Sequence, residues 1–471
     1  MRTNKKISKE IIILGIPIIL SNMSRVIMSL ADMAMVGHLG AGALAATGMG
    51  SLIIWIVSSM GIGLRTGVQA VSSRRLGQKK FSQCSDSLWH GVILASIISI
   101  PLTIIGSTYS SEISYYFLFN DVNNIMEKQV IDYCAEYIFI GFFSVFFVLT
   151  SFVFQGFYIS IKETKVHMVV TISSNILNVY LNAALIYGSE RITAYFTDLG
   201  FPFLAVFWNW AQFPALEVKG AAIATLIAFM WMLCHYFLYL YKDRIKVFSP
   251  FKFIYKSKKI IKQIKLGFPI GIQEMLSMTA FAIFYKIIAM IGPIQLATSE
   301  IILNIAHASF MPAVGIGMAS ATLVGKYLGE KKYDKAELVI INAIKWSLLF
   351  MGSMGTIFIF FPQWIIPLFT NNIDIITSGI PCLRIIGVLQ YFDAIGLTLF
   401  FILPAAGNTL FPAIVNTMIC WMLFLPLSYY LAIVMGMGVI GAWLAFAAWI
   451  IPFALIMALK VRTGSWKLIE I

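Results

Sequence analysis

The chain has 471 residues, of which 59% are hydrophobic and only 12% are charged, and its formal net charge is +13. A soluble domain carries about twice that charged fraction, so the composition excludes a soluble globular protein. Apolar runs of about 20 residues, long enough to cross a bilayer as a helix, recur along the whole chain. The sequence therefore predicts an all-α polytopic membrane protein.

Twelve membrane-spanning helices are predicted. In chain order they lie near 11–36, 44–72, 86–108, 132–160, 165–188, 218–241, 260–291, 294–325, 335–361, 375–404, 408–434 and 438–460. Most of the 34 Lys and Arg residues fall in alternate connections, namely the N-terminal tail, 74–80, 162–165, 242–265, 326–335 and the C-terminal tail. Basic connections stay in the cytoplasm, so we expect both termini to be cytoplasmic. The basic stretches are expected to face anionic lipid and not nucleic acid.

The two halves of the chain are copies of each other. A shift of 252 residues places "LGIPI" (14–18) on "LGFPI" (266–270), and "RRLGQKK" (74–80) on "KYLGEKK" (326–332). Each copy has an even number of spans, so both copies have the same orientation. Two six-helix bundles are therefore predicted, related by a pseudo-two-fold axis along the membrane normal, with the substrate path between them. The predicted domains are an N-lobe at 1–241, a cytoplasmic linker at 242–259 and a C-lobe at 260–471.

One outer connection, 189–217, is unusually long. Its core at 201–216 is almost wholly apolar, but it is too short to span a membrane and contains Pro202 and Pro214. The aromatic run "FWNW" (207–210) suits a membrane surface. An interfacial or re-entrant hairpin is therefore favoured over a gating lid.

Charged side chains inside the predicted spans are candidates for function, because lipid does not tolerate them unpaired. The first half carries Arg25, Asp32 and Arg65, and the second half carries Glu274, Lys286, Glu300, Arg384 and Asp393. Arg25 and Asp32 are two helical turns apart, so they share one face of the first helix. The alternative is that these residues pair within each half and only fix helix packing, with Arg25, Arg65 and Lys286 as charge partners.

The fifth predicted helix adds three amides. Asn175, Asn178 and Asn182 are spaced by three and four residues, which places them along one helix face. A carboxylate such as Asp32 can take up a proton, or it can bind Na⁺ when amide oxygens surround it. The alternative is that the amides only form hydrogen bonds between helices.

Two prolines and several absent motifs bear on the mechanism. Pro17 and Pro269 lie near the starts of the equivalent first and seventh helices, where a proline either permits a bend or marks a helix start. The sequence has no GxxxxGK[ST] loop for ATP. Its five histidines and five cysteines show no metal-ligand or disulfide spacing. No cofactor is predicted, and no metal other than Na⁺ as a coupling ion.

Three stretches resemble the multidrug and toxic compound extrusion (MATE) family. They are "ADMAMVGHLGAGALAA" (31–46), "LATSEIILNIAHASFMPAVGIGMASATLVGKYLGEKK" (296–332) and "ILPAAGNTLFP" (402–412). The similarity covers nearly the whole chain except 189–217. It implies two six-helix lobes that rock between outward and inward states and export organic cations in exchange for H⁺ or Na⁺.

The resemblance also implies roles for single residues. Asp32 and Asn178 match the first-lobe coupling site, and Asn182 falls where H⁺-coupled prokaryotic members often carry an aspartate. Asp393 resembles the tenth-helix aspartate of the Na⁺-coupled bacterial branch. Glu274 lies near that branch's seventh-helix glutamate, about one turn earlier, and Glu300 is a further second-lobe candidate.

The leading hypothesis is a secondary active antiporter, with one ion site around Asp32 and a second around Asp393 with Glu274 or Glu300. Its substrate is expected to be a cationic amphipathic small molecule. The chain is expected to be a monomer in the inner membrane of a prokaryotic cell.

Two other functions are weighed against it. A flippase for lipid-linked glycan precursors, from the same superfamily, tends to line its path with several arginines, and here only Arg25 and Arg65 are available in one half. A membrane enzyme needs a converging set of acids and histidines, and the sequence offers none.

Overall fold

The computed structural model describes residues 5–118, 125–253, 255 and 257–470. Within them, twelve helices are long and apolar enough to cross a membrane. They are α1 (Lys5–Gly37), α2 (Ala41–Gly77), α3 (Phe81–Thr108), α4 (Lys128–Ser160), α5 (Thr164–Asp198), α6 (Glu217–Tyr239), α7 (Ser257–Ala289), α8 (Pro293–Gly329), α9 (Tyr333–Phe360), α10 (Ile373–Ala405), α11 (Leu410–Val434) and α12 (Gly438–Arg462). Each predicted span falls on one of these helices, so the predicted fold class is confirmed. The start of the basic N-terminal tail, residues 254 and 256 of the linker, and the last residue lie outside the described residues.

The largest difference from the predicted spans is in α5, which was expected to end at 188. Its regular α-helix ends at Asn182 and continues through a π-helical turn, Ala183–Tyr187. At Gly188 the backbone takes a φ of 77°, and helical residues then run on to Asp198. The equivalent helix of the second half, α11, also contains π-helical turns, at Cys420–Phe424 and Tyr430–Val434. Such turns are uncommon and often lie at functional sites.

Each half of the chain has its own apolar core. In the first half, α4 packs against α2, α3 and α6, and α5 packs against α1 and α6. In the second half, α10 packs against α8, α9 and α12, and α7 packs against α11. Phe154 and Phe157 are buried in the first core, and Phe284 and Trp443 in the second. Burial of such large apolar side chains between neighbouring helices holds each six-helix bundle together.

The two halves meet closely where α2 packs against α7, and where α1 and α2 pack against α8. A Cβ atom at Gly63 would fall 2.5 Å from the backbone nitrogen of Gly271 and would also meet the carbonyl oxygen of Gly267. A Cβ atom at Gly77 would meet the backbone of Lys326 in the same way. Glycine is needed here because the two backbones leave no space for a side chain. We call this contact between α2 and the two facing helices the basic-end seam, because it runs toward the basic stretches 74–80, 257–265 and 326–332.

Polar contacts cross between the halves at the same end. Gln69 donates hydrogen bonds from Nε2 to the carbonyl oxygen of Met318, at 2.8 Å, and to Thr322 Oγ1, at 3.0 Å. Arg74 donates to the carbonyl oxygen of Ala406, at 3.2 Å. These bonds satisfy groups that the close approach removes from water, so the halves are tied as well as packed at this end.

An ion pair also joins the halves through the start of α7. Lys259 Nζ lies 2.6 Å from Asp86 Oδ2 on α3, and the Asp86 side chain is only 7% exposed. The linker that precedes α7 lies against the same helix, because Ser85 donates to the carbonyl oxygen of Phe248 at 2.8 Å and Trp89 donates to that of Pro250 at 2.5 Å. The linker is therefore fixed to the first half along α3.

The outer connection folds back onto α5. After the helical residues of α5 end at Asp198, it forms a short 3₁₀-helix, Pro202–Ala205, and a single helical turn, Val206–Asn209. It docks on Tyr180, whose hydroxyl donates to the carbonyl oxygen of Phe207 at 2.6 Å and whose ring stacks on Trp208 with centroids 5.4 Å apart. Several large apolar side chains of the connection point away from the protein, namely Phe201, Phe203, Val206, Phe207 and Trp210.

Candidate functional site

A carboxylate and two amides meet between α1 and α5. Asn182 donates from Nδ2 to Asp32 Oδ1, and the same nitrogen lies 3.2 Å from Asn178 Oδ1. Asn178 and Asn182 are fully buried, whereas Asp32 is half-buried. We call these three residues, with Thr225, the Asp32 cluster. The sequence predicted that Asn178 and Asn182 share one face of α5 near Asp32, and the structure brings these three side chains together.

Thr225 belongs to the cluster through α6. Asn178 Nδ2 donates to Thr225 Oγ1 at 3.4 Å. The close approach of α6 to α5 requires Gly220, where a Cβ atom would meet the carbonyl group of Leu185. The approach occurs at the π-helical turn that directly follows Asn182. The backbone geometry of α5 and α6 at this point thus positions both the Asn178 amide and the Thr225 hydroxyl.

One oxygen of the cluster has no partner. The buried Oδ1 of Asn182 accepts no hydrogen bond from any described residue. A buried amide oxygen without a donor is costly unless a bound group satisfies it. The cluster therefore gathers acceptor oxygens, from Asp32, Asn178, Asn182 and Thr225, at a place where a hydrogen-bond donor is missing. This arrangement suits a proton on the carboxylate or a bare cation among the oxygens.

The third amide of the predicted stripe has a different partner. Asn175 donates from Nδ2 to Ser24 Oγ on α1 at 2.7 Å. It therefore joins α5 to α1 about two turns away from Asn182, and it does not contact Asp32. Ser24, like Thr225, is a site residue that the sequence reasoning missed. Each is an isolated hydroxyl in an apolar run, and many such hydroxyls only bond to their own helix.

Arg25 faces the interior of the first half. It lines a cavity with Trp55, Phe152 and Tyr236 and forms no salt bridge with Asp32. The two charges on this face of α1 are thus separate.

Arg65 and Glu274 interact across the two halves. Arg65 is 7% exposed, and its guanidinium carbon lies 5.9 Å from the ring centre of Phe152 and 5.8 Å from that of Phe401. Glu274 on α7 lies within electrostatic range of this guanidinium, but no salt bridge joins the two side chains among the described residues. The two residues belong to different halves, and nothing in the sequence indicates that they lie near each other. Their proximity depends on how α2 and α7 are rotated in the assembled protein.

The second-half acids are not gathered into a cluster. Asp393 is half-buried on α10 and forms no hydrogen bond or ion pair with any residue in the described part of the chain. Glu274 interacts with Arg65, as above. Glu300, Lys286 and Arg384 are exposed, and Glu300 interacts electrostatically with Tyr285. The predicted grouping of Asp393 with Glu274 or Glu300 therefore has no hydrogen bond or ion pair to support it.

The two predicted hinge prolines lie inside continuous helices. Pro17 is buried in α1 and Pro269 is half-buried in α7. Both lie beside glycines at which the halves approach, since Gly15 faces Gly315 and Gly267 faces Gly63. The prolines are therefore close to the surfaces between the halves and far from the Asp32 cluster. No group of three or more His, Cys, Asp or Glu residues with the geometry of a metal site occurs among the described residues.

Comparison with known proteins identifies the family. The model of the MatE family matches residues 17–184 and 269–430. The chain is 28% identical over 466 residues to the probable multidrug resistance protein NorM of Thermotoga maritima, a match that covers 98% of this chain and 94% of that protein. A crystal structure of a MATE in complex with MaD3S has a TM-score of 0.83 at 19% identity, covering 99% of this chain and all of that one. An outward-facing structure of a multidrug resistance MATE family transporter has a TM-score of 0.81 at 20% identity, with 99% of this chain covered and 100% of that chain.

The family match takes in both copies of the repeat and most of the chain, whereas the two solved structures show a shared fold. The resemblance seen in the three sequence motifs is thereby confirmed. So is the prediction that the chain is a transporter and not an enzyme. This chain belongs to the MatE family of multi-pass membrane transporters.

Proposed function

We propose that this protein is a secondary active antiporter that exports small organic molecules in exchange for H⁺ or Na⁺. The Asp32 cluster carries the proposal, because a carboxylate held by buried amides inside a membrane is costly unless it has a function. The multidrug resistance name of the Thermotoga maritima relative supports the substrate class. The distribution of basic residues supports a location in the inner membrane of a bacterial cell with both termini in the cytoplasm.

In this proposal the coupling ion binds at the Asp32 cluster. A proton on Asp32 neutralises the carboxylate, which then no longer depends on the hydrogen bond from the Asn182 amide. Na⁺, in contrast, binds to the oxygens of Asp32, Asn178 and Asn182. Either ion alters the contact between α1 and α5, because the hydrogen bond from Asn182 to Asp32 joins these two helices. An ion shifts the equilibrium between two states only by its difference in affinity for them. The ion must therefore bind more tightly in the state that opens toward its source.

Residues 1–241 and 260–471 are the two proposed moving lobes, joined by the linker 242–259. In this proposal the basic-end seam lies on the cytoplasmic side, where it holds the two lobes together. Arg65 and Glu274 lie where the lobes meet, and their separation accompanies opening of the seam. Pro17 and Pro269 are the proposed bending points, since each lacks the backbone N–H that would stiffen its helix.

The second lobe offers a place for the positive charge of a substrate. Asp393 is half-buried and has no partner among the described residues, as a carboxylate that receives a mobile cation requires. We therefore retain Asp393 as a second-lobe candidate for the cation of an amphipathic substrate or for a second coupling ion. The exposed side chain of Glu300 gives it less support. A monomer is sufficient, because both sites lie within one chain.

The deciding experiment is efflux of ethidium from vesicles that contain the purified protein, driven separately by a proton gradient and by a Na⁺ gradient. Wild type is compared with Asp32→Asn, Asp393→Asn and the exposed control Asp374→Asn. We expect at least one gradient to drive efflux, Asp32→Asn to abolish it, and Asp374→Asn to match wild type. Efflux by Asp32→Asn at the wild-type rate under both gradients would contradict the assignment of the Asp32 cluster.

The flippase alternative rests on arginines in the membrane. Arg65 lies within electrostatic range of Glu274, and Arg25 lines the first-half cavity, where none of the lining residues is acidic. A diphosphate group is usually held by several cations at once. Binding of a polyprenyl-diphosphate sugar together with a lack of ethidium efflux would favour the flippase.

A further inference from the structure

The outer connection, 189–217, presents an apolar surface that the rest of the described structure leaves uncovered. We call this surface the outer patch. It consists of five large side chains, each between 53% and 74% exposed, namely Phe201, Phe203, Val206, Phe207 and Trp210. Residues 199–216, which include all five, contain no Asp, Glu, Lys, Arg or His. Exposed apolar side chains grouped in this way mark a surface that binds a partner.

The position of the connection indicates which partner this is. It joins the end of α5 to the start of α6, and both helices are long and apolar enough to span a membrane. The basic stretches 162–165 and 242–265 stand at the other ends of these two helices, so the connection belongs to the opposite membrane surface. Aromatic side chains concentrate at the level of the lipid headgroups. A protein partner would meet a polar rim, whereas an uncharged aromatic surface that continues two spanning helices suits lipid.

The inner side of the connection is fastened to α5. The Trp208 ring stacks on the rings of Tyr180 and Phe196, with centroids 5.4 and 5.8 Å apart. Its Nε1 donates to the carbonyl oxygen of Tyr180 at 3.1 Å. Ser189 Oγ donates to the carbonyl oxygen of Trp208 at 2.6 Å and accepts from the N–H of Phe213 at 2.8 Å. The connection thus has one side that packs on the protein and one that faces away, as an amphipathic segment at a membrane surface does.

The connection also completes the backbone hydrogen bonds of α5. In a continuous α-helix the N–H of Ser189 would donate to the carbonyl oxygen of Leu185, four residues earlier. Ser189 instead donates its N–H to the carbonyl oxygen of Phe213 at 3.0 Å. The carbonyl oxygen of Leu185 accepts from the N–H of Leu216 at 2.8 Å. The connection therefore holds the π-helical turn that directly follows Asn182 of the Asp32 cluster.

We propose that the outer patch binds the lipid bilayer at the surface opposite the basic stretches, and that this contact holds the π-helical turn of α5 in place. The partner is the interfacial layer of neutral or zwitterionic lipid, because residues 199–216 supply no basic side chain for an anionic headgroup. Lipid fixes the outer side of the connection, and the hydrogen bonds of Trp208 and Leu216 fix its inner side to α5. The inference goes beyond the proposed export function, since it gives the membrane a part in positioning the Asn182 amide.

The first measurement locates the outer patch relative to the bilayer. Single spin labels are introduced on a background without the five native cysteines, and each protein is placed in phosphatidylcholine nanodiscs. Phe203 and Val206 report on the patch, and the exposed Asp198 is the matched control from the same connection. The references are Ile97, exposed midway along α3, and Lys331, exposed at the basic end. The accessibility of each label to oxygen and to a water-soluble nickel chelate is measured by power saturation.

We expect the labels at Phe203 and Val206 to favour oxygen over the nickel chelate, as the label at Ile97 does. The label at Asp198 should favour the chelate, as the label at Lys331 does. Accessibility to the chelate at Phe203 and Val206 equal to that at Asp198 would place the patch in water and overturn the inference. Dipolar broadening at Val206 that disappears on dilution with unlabelled protein would show that a second copy covers the patch, and this too would overturn it.

The second measurement tests whether the lipid contact reaches α5. Phe203→Ser removes an apolar ring from the patch and leaves the hydrogen bonds between the connection and α5 intact. Hydrogen exchange of the peptide that covers Ala183–Tyr187 is followed by mass spectrometry in nanodiscs. We expect about tenfold faster exchange than in wild type, because the loss of one large apolar contact corresponds to about that factor. The control Trp364→Ser removes an exposed aromatic ring that follows α9 in the second half, and it should leave this exchange unchanged.

Two results of this measurement would overturn the inference. Wild-type exchange at the turn in Phe203→Ser would show that lipid binding at the patch does not hold α5. An equal increase in Phe203→Ser and Trp364→Ser would show a general loosening of the protein in place of a local one. Neither measurement requires transport, so a failure of the proposed export function would be seen separately, in the efflux assay.

Discussion

The basic-end seam predicts a graded response to single methyl groups. At Gly63, the added Cβ atom of alanine would lie 2.5 Å from the backbone nitrogen and 2.7 Å from the Cα atom of Gly271. Backbone atoms cannot rotate away, so the helices must separate. At Gly15, on the same side of the protein, the Cβ atom would lie 3.7 Å from the carbonyl oxygen of Gly315, which is an ordinary contact distance. Gly15→Ala is therefore the matched control.

The size of the effect follows from the tight contact. Overpacking such a contact costs about 1–3 kcal/mol, and this cost falls on the closed state. Replacing a helical glycine by alanine stabilises the helix by about 1 kcal/mol, but α2 is helical in both states, so this contribution cancels in their ratio. Gly63→Ala should therefore shift the ratio of the two states by about 5- to 150-fold. Gly15→Ala adds only an ordinary contact and should leave the ratio near that of wild type.

The assay is a distance distribution between spin labels at positions 80 and 331, whose lysines are exposed on opposite halves at the basic end. The labels are placed on a background without the five native cysteines. Gly63→Ala should add a longer-distance component that wild type and Gly15→Ala lack. A folded Gly63→Ala protein with the wild-type distribution would refute the argument that this contact decides whether the seam is closed.

Two further predictions concern single polar contacts. Thr225→Val removes the hydroxyl that accepts a hydrogen bond from Asn178 and leaves the buried amide unsatisfied. We therefore expect the ion concentration for half-maximal efflux to rise about tenfold. An unchanged ion dependence would exclude Thr225 from the coupling site. Asp86→Asn removes the charge that pairs with Lys259 across the halves. We expect faster hydrogen exchange at the start of α7, measured by mass spectrometry. An unchanged exchange rate there would show that the ion pair does not hold the linker end of this helix.

The fold was predictable to within a few residues at most helix ends. Hydrophobic runs of spanning length and alternating basic connections are strong signals, because the bilayer permits few other structures. The differences lie where apolar content is not the deciding factor. Gly188 ends the regular geometry of α5 through its positive φ, and the π-helical turn before it has no composition signal.

The site was predictable only where its residues share one helix. The spacing of Asn178 and Asn182 placed both amides on one face, and the structure puts that face against Asp32. Contacts between distant helices were not predictable in this way. The Arg65–Glu274 interaction and the Asn175–Ser24 hydrogen bond depend on helix rotation and depth, which a single sequence does not specify. The exposure of Glu300 and Lys286 has the same cause, since a position in a span does not state which way it faces.

The glycine contacts of the basic-end seam also bear on how easily the two halves can come apart. A boundary filled with interlocked leucines and phenylalanines would expose a large apolar area when it opened, at about 25 cal/mol for each Å². Where backbone touches backbone, as at Gly63 with Gly267 and Gly271, the surfaces are nearly smooth and carry little side chain. Parting them wets mainly peptide groups, which water can hydrate. At this contact water is therefore excluded by the close approach of two backbones, whereas apolar side chains cross the seam elsewhere, as Ala70 and Leu266 do.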